Sequence, residues 1–212
     1  MAQPFDRAAK VPAPGKPDPA LGEFWAENPW EIIFQGHNLS AFERKRTFWN
    51  VHGRDFLDLS YLTGADADGD GRSAVAGDFR NTGQLDLVLR QVGGGPVRLY
   101  ANQLPRRHYL KVSLRGRQSN RLGIGARLSA TVNGQTLVRE LYPVNSYRSQ
   151  MPNIVHFGLG DATQVERLTI RWPSGKEQVL TELAADRHIV VDEGKEGTGA
   201  VMVVEPGKVV VP

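Results

Sequence analysis

From residue 47 onward, apolar residues alternate with polar ones in short runs broken by turn formers, which is the period of strands rather than of helices. Such runs fall at 47–51, 55–60, 73–79, 85–91 and 97–102. His52-Gly53, the stretch 65–71, Asn81-Thr82-Gly83 and Gly93-Gly94-Gly95-Pro96 separate them, and each is rich in residues that turns favour. A second series follows at 109–114, 126–132, 137–141, 154–158, 167–172, 177–180 and 188–191. Asn133-Gly134 between two of these runs is the strongest short hairpin signal in the chain. Trp172-Pro173-Ser174-Gly175 predicts a further tight turn. The pattern predicts an all-β chain: one propeller blade and a little more, or one small sheet, and then a second all-β unit.

The ends read differently. Residues 1–20 carry Pro4, Pro12, Pro14, Pro17 and Pro19 among small and charged residues, a composition that predicts a disordered Pro-rich tail. Between 24 and 33, Phe24, Trp25, Trp30, Ile32 and Ile33 are too dense for a solvated linker, while Pro29 interrupts any helix, so an irregular segment docked on the body is expected. Two apolar runs around Pro206-Gly207 predict a C-terminal hairpin that needs a partner surface. The resulting division is 1–20 tail, 21–105 first β region, 106–194 second β domain and 195–212 terminal hairpin.

Composition narrows the chemistry. With 212 residues, 40% of them apolar, the chain can build an ordinary core. Its 26 basic and 23 acidic residues leave a charge of +3, and the arginines are scattered. A polyanion reader concentrates them on one element, so no nucleic-acid partner is expected. The absence of cysteine excludes disulfides, thiol nucleophiles and thiolate metal sites. No run approaches the roughly 20 apolar residues of a membrane-spanning helix, and residues 1–14 lack the apolar core of a signal peptide. The expectation is either a cytoplasmic chain or a mature form or fragment without its export signal.

Two loops have the composition of calcium loops. Asp66, Asp68 and Asp70 alternate ahead of Gly71, as oxygen ligands do around Ca²⁺, although Ala74 and Gly77 stand where further acids would be expected. In the second, Asp78 and Asp86 occupy the first and ninth positions around Gly83, with Arg80 where a third carboxylate would help most. Its fixed charge can take the cation's place. With so few ligands in hand, both loops suit solvated acidic turns tied by Arg72 or Arg80 better than calcium sites.

Catalytic constellations are sparse. No G-x-S-x-G elbow is present, and His37, His52, His108, His156 and His188 are isolated from one another. His156 reads as a strand residue satisfied by a polar neighbour. A hydrolase built on a pair such as Asp66 and Asp70 would need fixed carboxylate spacing that a Gly-rich loop rarely provides. Gly93-Gly94-Gly95 precedes a strand and reads as a turn rather than a phosphate cradle. Asn38-Leu39-Ser40 matches a glycosylation sequon. The polar run 145–150, with Ser146, Tyr147, Arg148 and Gln150, is the clearest candidate for a partner-binding surface, although its composition suits better a connecting loop whose side chains satisfy nearby backbone groups.

One set of blocks resembles a known family. Ser119-Asn120-Arg121-Leu122-Gly123-Ile124-Gly125-Ala126-Arg127, Arg139-Glu140, Ser146-Tyr147-Arg148-Ser149-Gln150, His156-Phe157-Gly158-Leu159-Gly160 and Val165 through Trp172-Pro173-Ser174-Gly175 follow in order as in the ASPIC and UnbV (cartilage acidic protein) family. Upstream, Asn38-Leu39-Ser40 with Glu43-Arg44, and Gly77-Asp78-Phe79 with Leu85-Asp86-Leu87-Val88, resemble the last FG-GAP or VCBS-like repeat preceding that domain. The resemblance implies a partial propeller blade followed by a small β-sandwich or barrel. It also implies an extracytoplasmic, non-catalytic module that binds a protein or carbohydrate partner or serves as a subunit of a larger assembly, with Ca²⁺ as a possible structural ion. An alternative it implies is an accessory role in enediyne-type natural-product biosynthesis. Departures at Arg80 and Thr82 keep the family's calcium loop from transferring directly to Asp78 and Asp86.

Overall fold

The structure is a computed structural model that describes residues 44–51, 53–67, 71–91, 96–144, 146–147, 149–195 and 197–205. The expected Pro-rich tail, the aromatic segment 24–33 and the second half of the terminal hairpin lie outside these residues. Two compact units are present, one of residues 1–72 and 90–97, the other of 73–89 and 98–212.

In the first unit, β1 (Phe48–Val51) and β2 (Asp55–Asp58) form an antiparallel hairpin. Gly53 turns it at φ +72, and the Asn50 side chain accepts the Gly53 N–H at 2.6 Å. A single helical turn, α1 (Ser60–Thr63), follows and ends at Gly64 in the left-handed region. Buried Ser60 ties the unit together: its Oγ accepts from the Thr47 N–H at 2.8 Å and donates to Asp58.

β3 (Gly71–Gly77), β4 (Asp86–Gln91) and β5 (Arg98–Tyr100) make a three-stranded sheet in that order. The larger unit continues with β6 (His108–Arg115), β7 (Arg127–Val132), β8 (Gln135–Glu140), β9 (Val155–Gly160), β10 (Gln164–Arg171), β11 (Glu177–Ala184), β12 (Arg187–Asp192) and β13 (Val201–Val204). One sheet runs β11-β10-β7-β8 and the other β13-β12-β6-β9, with β6 and β12 parallel and their other pairings antiparallel.

Alternation explains how these sheets close on one core. Leu110, Val112 and Leu114 of β6, Leu128, Ala130 and Val132 of β7, Val155 and Phe157 of β9, Leu168 and Ile170 of β10 and Ile189 and Val191 of β12 join a single buried cluster. Each large aliphatic or aromatic side chain buried there contributes roughly 1.5–3 kcal/mol. The turns follow from their residues. Asn133 and Gly134 both have positive φ, as the two-residue turn between β7 and β8 requires, and Val132 pairs Gln135 beside them. Before β7, Asn120 clamps its own turn, accepting the Ile124 N–H at 2.9 Å and donating to the Ile124 carbonyl at 2.7 Å. Gly123 sits there at φ +66 with Leu114 and Trp172 where a Cβ would be.

Candidate functional site: an apolar cleft above a paired polar floor

The loop between β3 and β4, the segment after β8 and the approach to β9 enclose a cleft of about 430 Å³ in the larger unit. Phe79, Leu85, Tyr142, Met151 and Ile154 supply apolar wall, and Phe79 and Tyr142 remain well exposed to solvent. This volume lies within the range of small-ligand pockets and is ample for an aromatic or branched side chain.

Its floor is polar because β6 alternates. Leu110 and Val112 enter the core, which turns Lys111 to the opposite face. There Lys111 Nζ meets Asp78 Oδ2 at 2.8 Å, with the two side chains only 11% and 4% exposed. Asp78 also accepts the N–H groups of Thr82 at 2.7 Å and Gly83 at 2.9 Å. Burial alone would raise the Asp78 pKa, but the Lys111 ammonium and these two amides outweigh it and hold the carboxyl below its usual range.

His156 of β9 stands beside this pair. Its Nε2 lies 2.8 Å from the Gly83 carbonyl oxygen, and its ring stacks on Tyr109 with centroids 5.9 Å apart. Burial pushes its pKa down, so at neutral pH the ring is uncharged and Nε2 donates to that carbonyl. Gly83 is required at this point: φ is +83, and a Cβ there would lie 2.0 Å from Tyr109 Cε1. The expectation of a strand histidine satisfied by a polar neighbour agrees with this geometry. The Lys111 ammonium, the Asp78 carboxylate and the His156 Nε2 are thus engaged in holding the floor together.

The residues read as calcium ligands separate. Asp86 is fully buried at the start of β4, and Arg80 donates to it through Nε at 3.1 and 3.2 Å and Nη2 at 2.8 Å. The Asn102 N–H adds a bond at 2.9 Å. The Arg80 hydrogen bonds are the main reason the Asp86 carboxyl sits below its usual range. With Asp78 held by Lys111 and Asp86 by Arg80, the donor set of this loop does not fit a hard divalent cation, whose oxygens must be free to face it. In the first loop, Asp66 pairs with Arg44 at 3.2 Å, while Asp68 and Asp70 lie outside the described residues. Among the described residues, no group of three His, Asp or Glu side chains is placed to hold a metal ion.

The polar run after β8 holds backbone. Ser146 Oγ accepts the Ala74 N–H at 3.0 Å, and the Tyr147 carbonyl accepts from Ser73 Oγ. The Tyr147 side chain and Gln150 are exposed, and Arg148 lies outside the described residues.

Among the described residues, Glu193 is a heavily bonded acid that the sequence pattern does not mark. It is 2% exposed. One carboxylate oxygen accepts the N–H groups of Arg117, Gln118 and Ser119 at 2.6 to 2.8 Å. The other accepts the hydroxyls of Ser119 at 2.9 Å and Ser174 at 2.7 Å. Ser119 and Ser174 belong to two of the sequence blocks quoted above, so these blocks meet on one carboxylate. Burial would raise the Glu193 pKa, yet the Ser119 and Arg117 amides and the Ser174 and Ser119 hydroxyls bring it down to about 2. No local signal pointed to Glu193, because its donors lie 74 to 76 and 19 residues away.

The two four-stranded sheets of the larger unit thus close on one core, and one buried carboxylate pins the turns that carry Ser119 and Ser174. Residues 116–198 match the model of the family described as ASPIC and UnbV, and the sequence blocks from Ser119 to Gly175 that resemble it fall within that match. No curated protein matches the chain. Among the described residues, no helix is long and apolar enough to cross a membrane.

Proposed function

We propose that this chain is a non-catalytic binding module that takes an apolar or aromatic side chain of a protein partner into the cleft beside Phe79. The observation that carries this reading is the combination of an open apolar cleft with a floor whose cation and carboxylate pair with each other and whose imidazole is bonded to the Gly83 carbonyl. A catalytic site needs a nucleophile or base held ready for substrate. Here Asp78 is committed to Lys111 and His156 to the Gly83 carbonyl. A carbohydrate site would present hydrogen-bonding groups to hydroxyls, whereas these walls are mainly aliphatic and aromatic, which favours protein over sugar. The extracytoplasmic location and the role within a larger assembly that the resemblance implies belong to the same reading. An accessory biosynthetic role would call for a free acid or base facing the cleft, and Asp78 is not free in this sense.

The test uses methyl NMR of the full chain with two probes, N-acetyl-phenylalaninamide and a methyl glucoside. The aromatic amide should move the methyl signals of Leu85, Met151 and Ile154, and Phe79→Glu should abolish the effect. Shifts caused by the sugar alone, or by neither probe, would overturn the proposal.

A further inference from the structure

The loop from Asp78 to Asp86 poses a question about charge. Asp86 has no exposed side-chain surface, and a buried carboxylate is tolerated only when a cation or several donors compensate it. The compensation is a guanidinium from six residues earlier in the same loop. Arg80 presents Nε and Nη2 to the Asp86 carboxylate, and Nη2 also donates to the Asn102 carbonyl at 3.0 Å. A carboxylate and a main-chain carbonyl converging on one positive centre are the oxygens a loop offers to a hard divalent ion. Arg80 meets them with directional donors and with a charge that is kept at every accessible pH. The far end of the loop repeats the arrangement, with Lys111 Nζ on Asp78.

We infer that Arg80 is a built-in cation that takes the place of a divalent ion in this loop. The loop therefore holds its shape without calcium, and exchanging the guanidinium for a carboxylate opens a calcium site. In Arg80→Asp, the new carboxylate, Asp86 and the Asn102 carbonyl are the oxygens left to face an ion, with water completing the shell. The loop's acid spacing is that of a cation loop, while its electrostatics are complete without one.

The experiment compares thermal melts of the full-length chain and its Arg80→Met and Arg80→Asp variants, each in EGTA, in millimolar CaCl2 and in MgCl2 as an ionic-strength control. The wild type should melt within about 1 °C in all three, because nothing binds the native state selectively. Arg80→Met should melt roughly 10 °C lower in all three, since it leaves the Asp86 carboxylate buried without a counter-charge and with only the Asn102 N–H to bond it. Arg80→Asp should melt at least as low in EGTA and recover most of the loss in CaCl2 alone. If that variant is unfolded in EGTA, calcium-driven recovery of its far-UV circular dichroism reads the same point. A calcium-dependent rise of several degrees in the wild type would overturn the inference. So would an Arg80→Met protein that melts like the wild type, or an Arg80→Asp protein indifferent to calcium.

Discussion

Replacing Glu193 by Gln changes one oxygen to an amide and removes one charge, and the geometry sets what this should cost. The carboxylate accepts three main-chain N–H groups on one oxygen and two serine hydroxyls on the other, while nearly sealed from water. A carboxyl held at about 2 instead of the usual 4.5 corresponds to about 3 kcal/mol of folding free energy at neutral pH, at roughly 1.4 kcal/mol per unit of pKa difference. Because the folded value is the lower one, this contribution is complete above pH 4.5 and is lost as the pH falls toward 2. Gln keeps an acceptor for the three amides and can turn its NH2 toward the serine oxygens, so it should lose the charge-assisted part, about 2–3 kcal/mol at pH 7. The assay is urea unfolding followed by tryptophan fluorescence at pH 7 and pH 3, for wild type and Glu193→Gln. Other acids with lowered pKa, among them Asp78, Asp86 and Asp192, also weaken the fold in acid. They are common to both proteins and cancel in the difference. The stability gap between the two should therefore narrow by at least half from pH 7 to pH 3. A gap that stays constant with pH, or one below about 0.5 kcal/mol at pH 7, would refute the assignment of a stabilising buried carboxylate.

Two further perturbations test the floor of the cleft. Gly83→Ala combines a left-handed φ with a Cβ placed 2.0 Å from the Tyr109 ring, so a loss of about 3 kcal/mol is expected in denaturant unfolding. Gly134→Ala, at φ +72 with nothing within 4 Å, supplies the comparison and should cost only about 1 kcal/mol; equal losses would show that the ring contact contributes nothing. Lys111→Met should cost about 3–5 kcal/mol by stranding the Asp78 carboxylate, and adding Asp78→Asn should recover part of that loss. Additive effects in that double-mutant cycle would mean that the 2.8 Å pair carries no coupling.

The signals that sequence conveys well are those that a few neighbouring residues settle among themselves. Alternation in β6 and β7 specified both their existence and their core face, and Asn133-Gly134 specified a turn because few other pairs accept two positive φ angles. The run 177–180 marks the first half of β11, while residues 181–184 and the leading residues 164–166 of β10 carry no strand signal, since Glu177–Ala184 holds few buried positions and lacks a clean period. Arg80 was legible as a cation among acids because its partner lies six residues away. Lys111 was not, for its partner is 33 residues distant and its place in an apolar strand gives no hint of an ion pair. Glu193 is the stronger case. As a residue in a charged terminal stretch it reads as solvated, and only the fold brings three amides and two hydroxyls around it. A carboxylate's chemistry states that it accepts hydrogen bonds or ions but leaves open from where. In Asp78, Asp86 and Glu193 the answer is the chain itself, so that two acids that look like ligand donors in the sequence and one that does not all act in the fold as anchors for its loops.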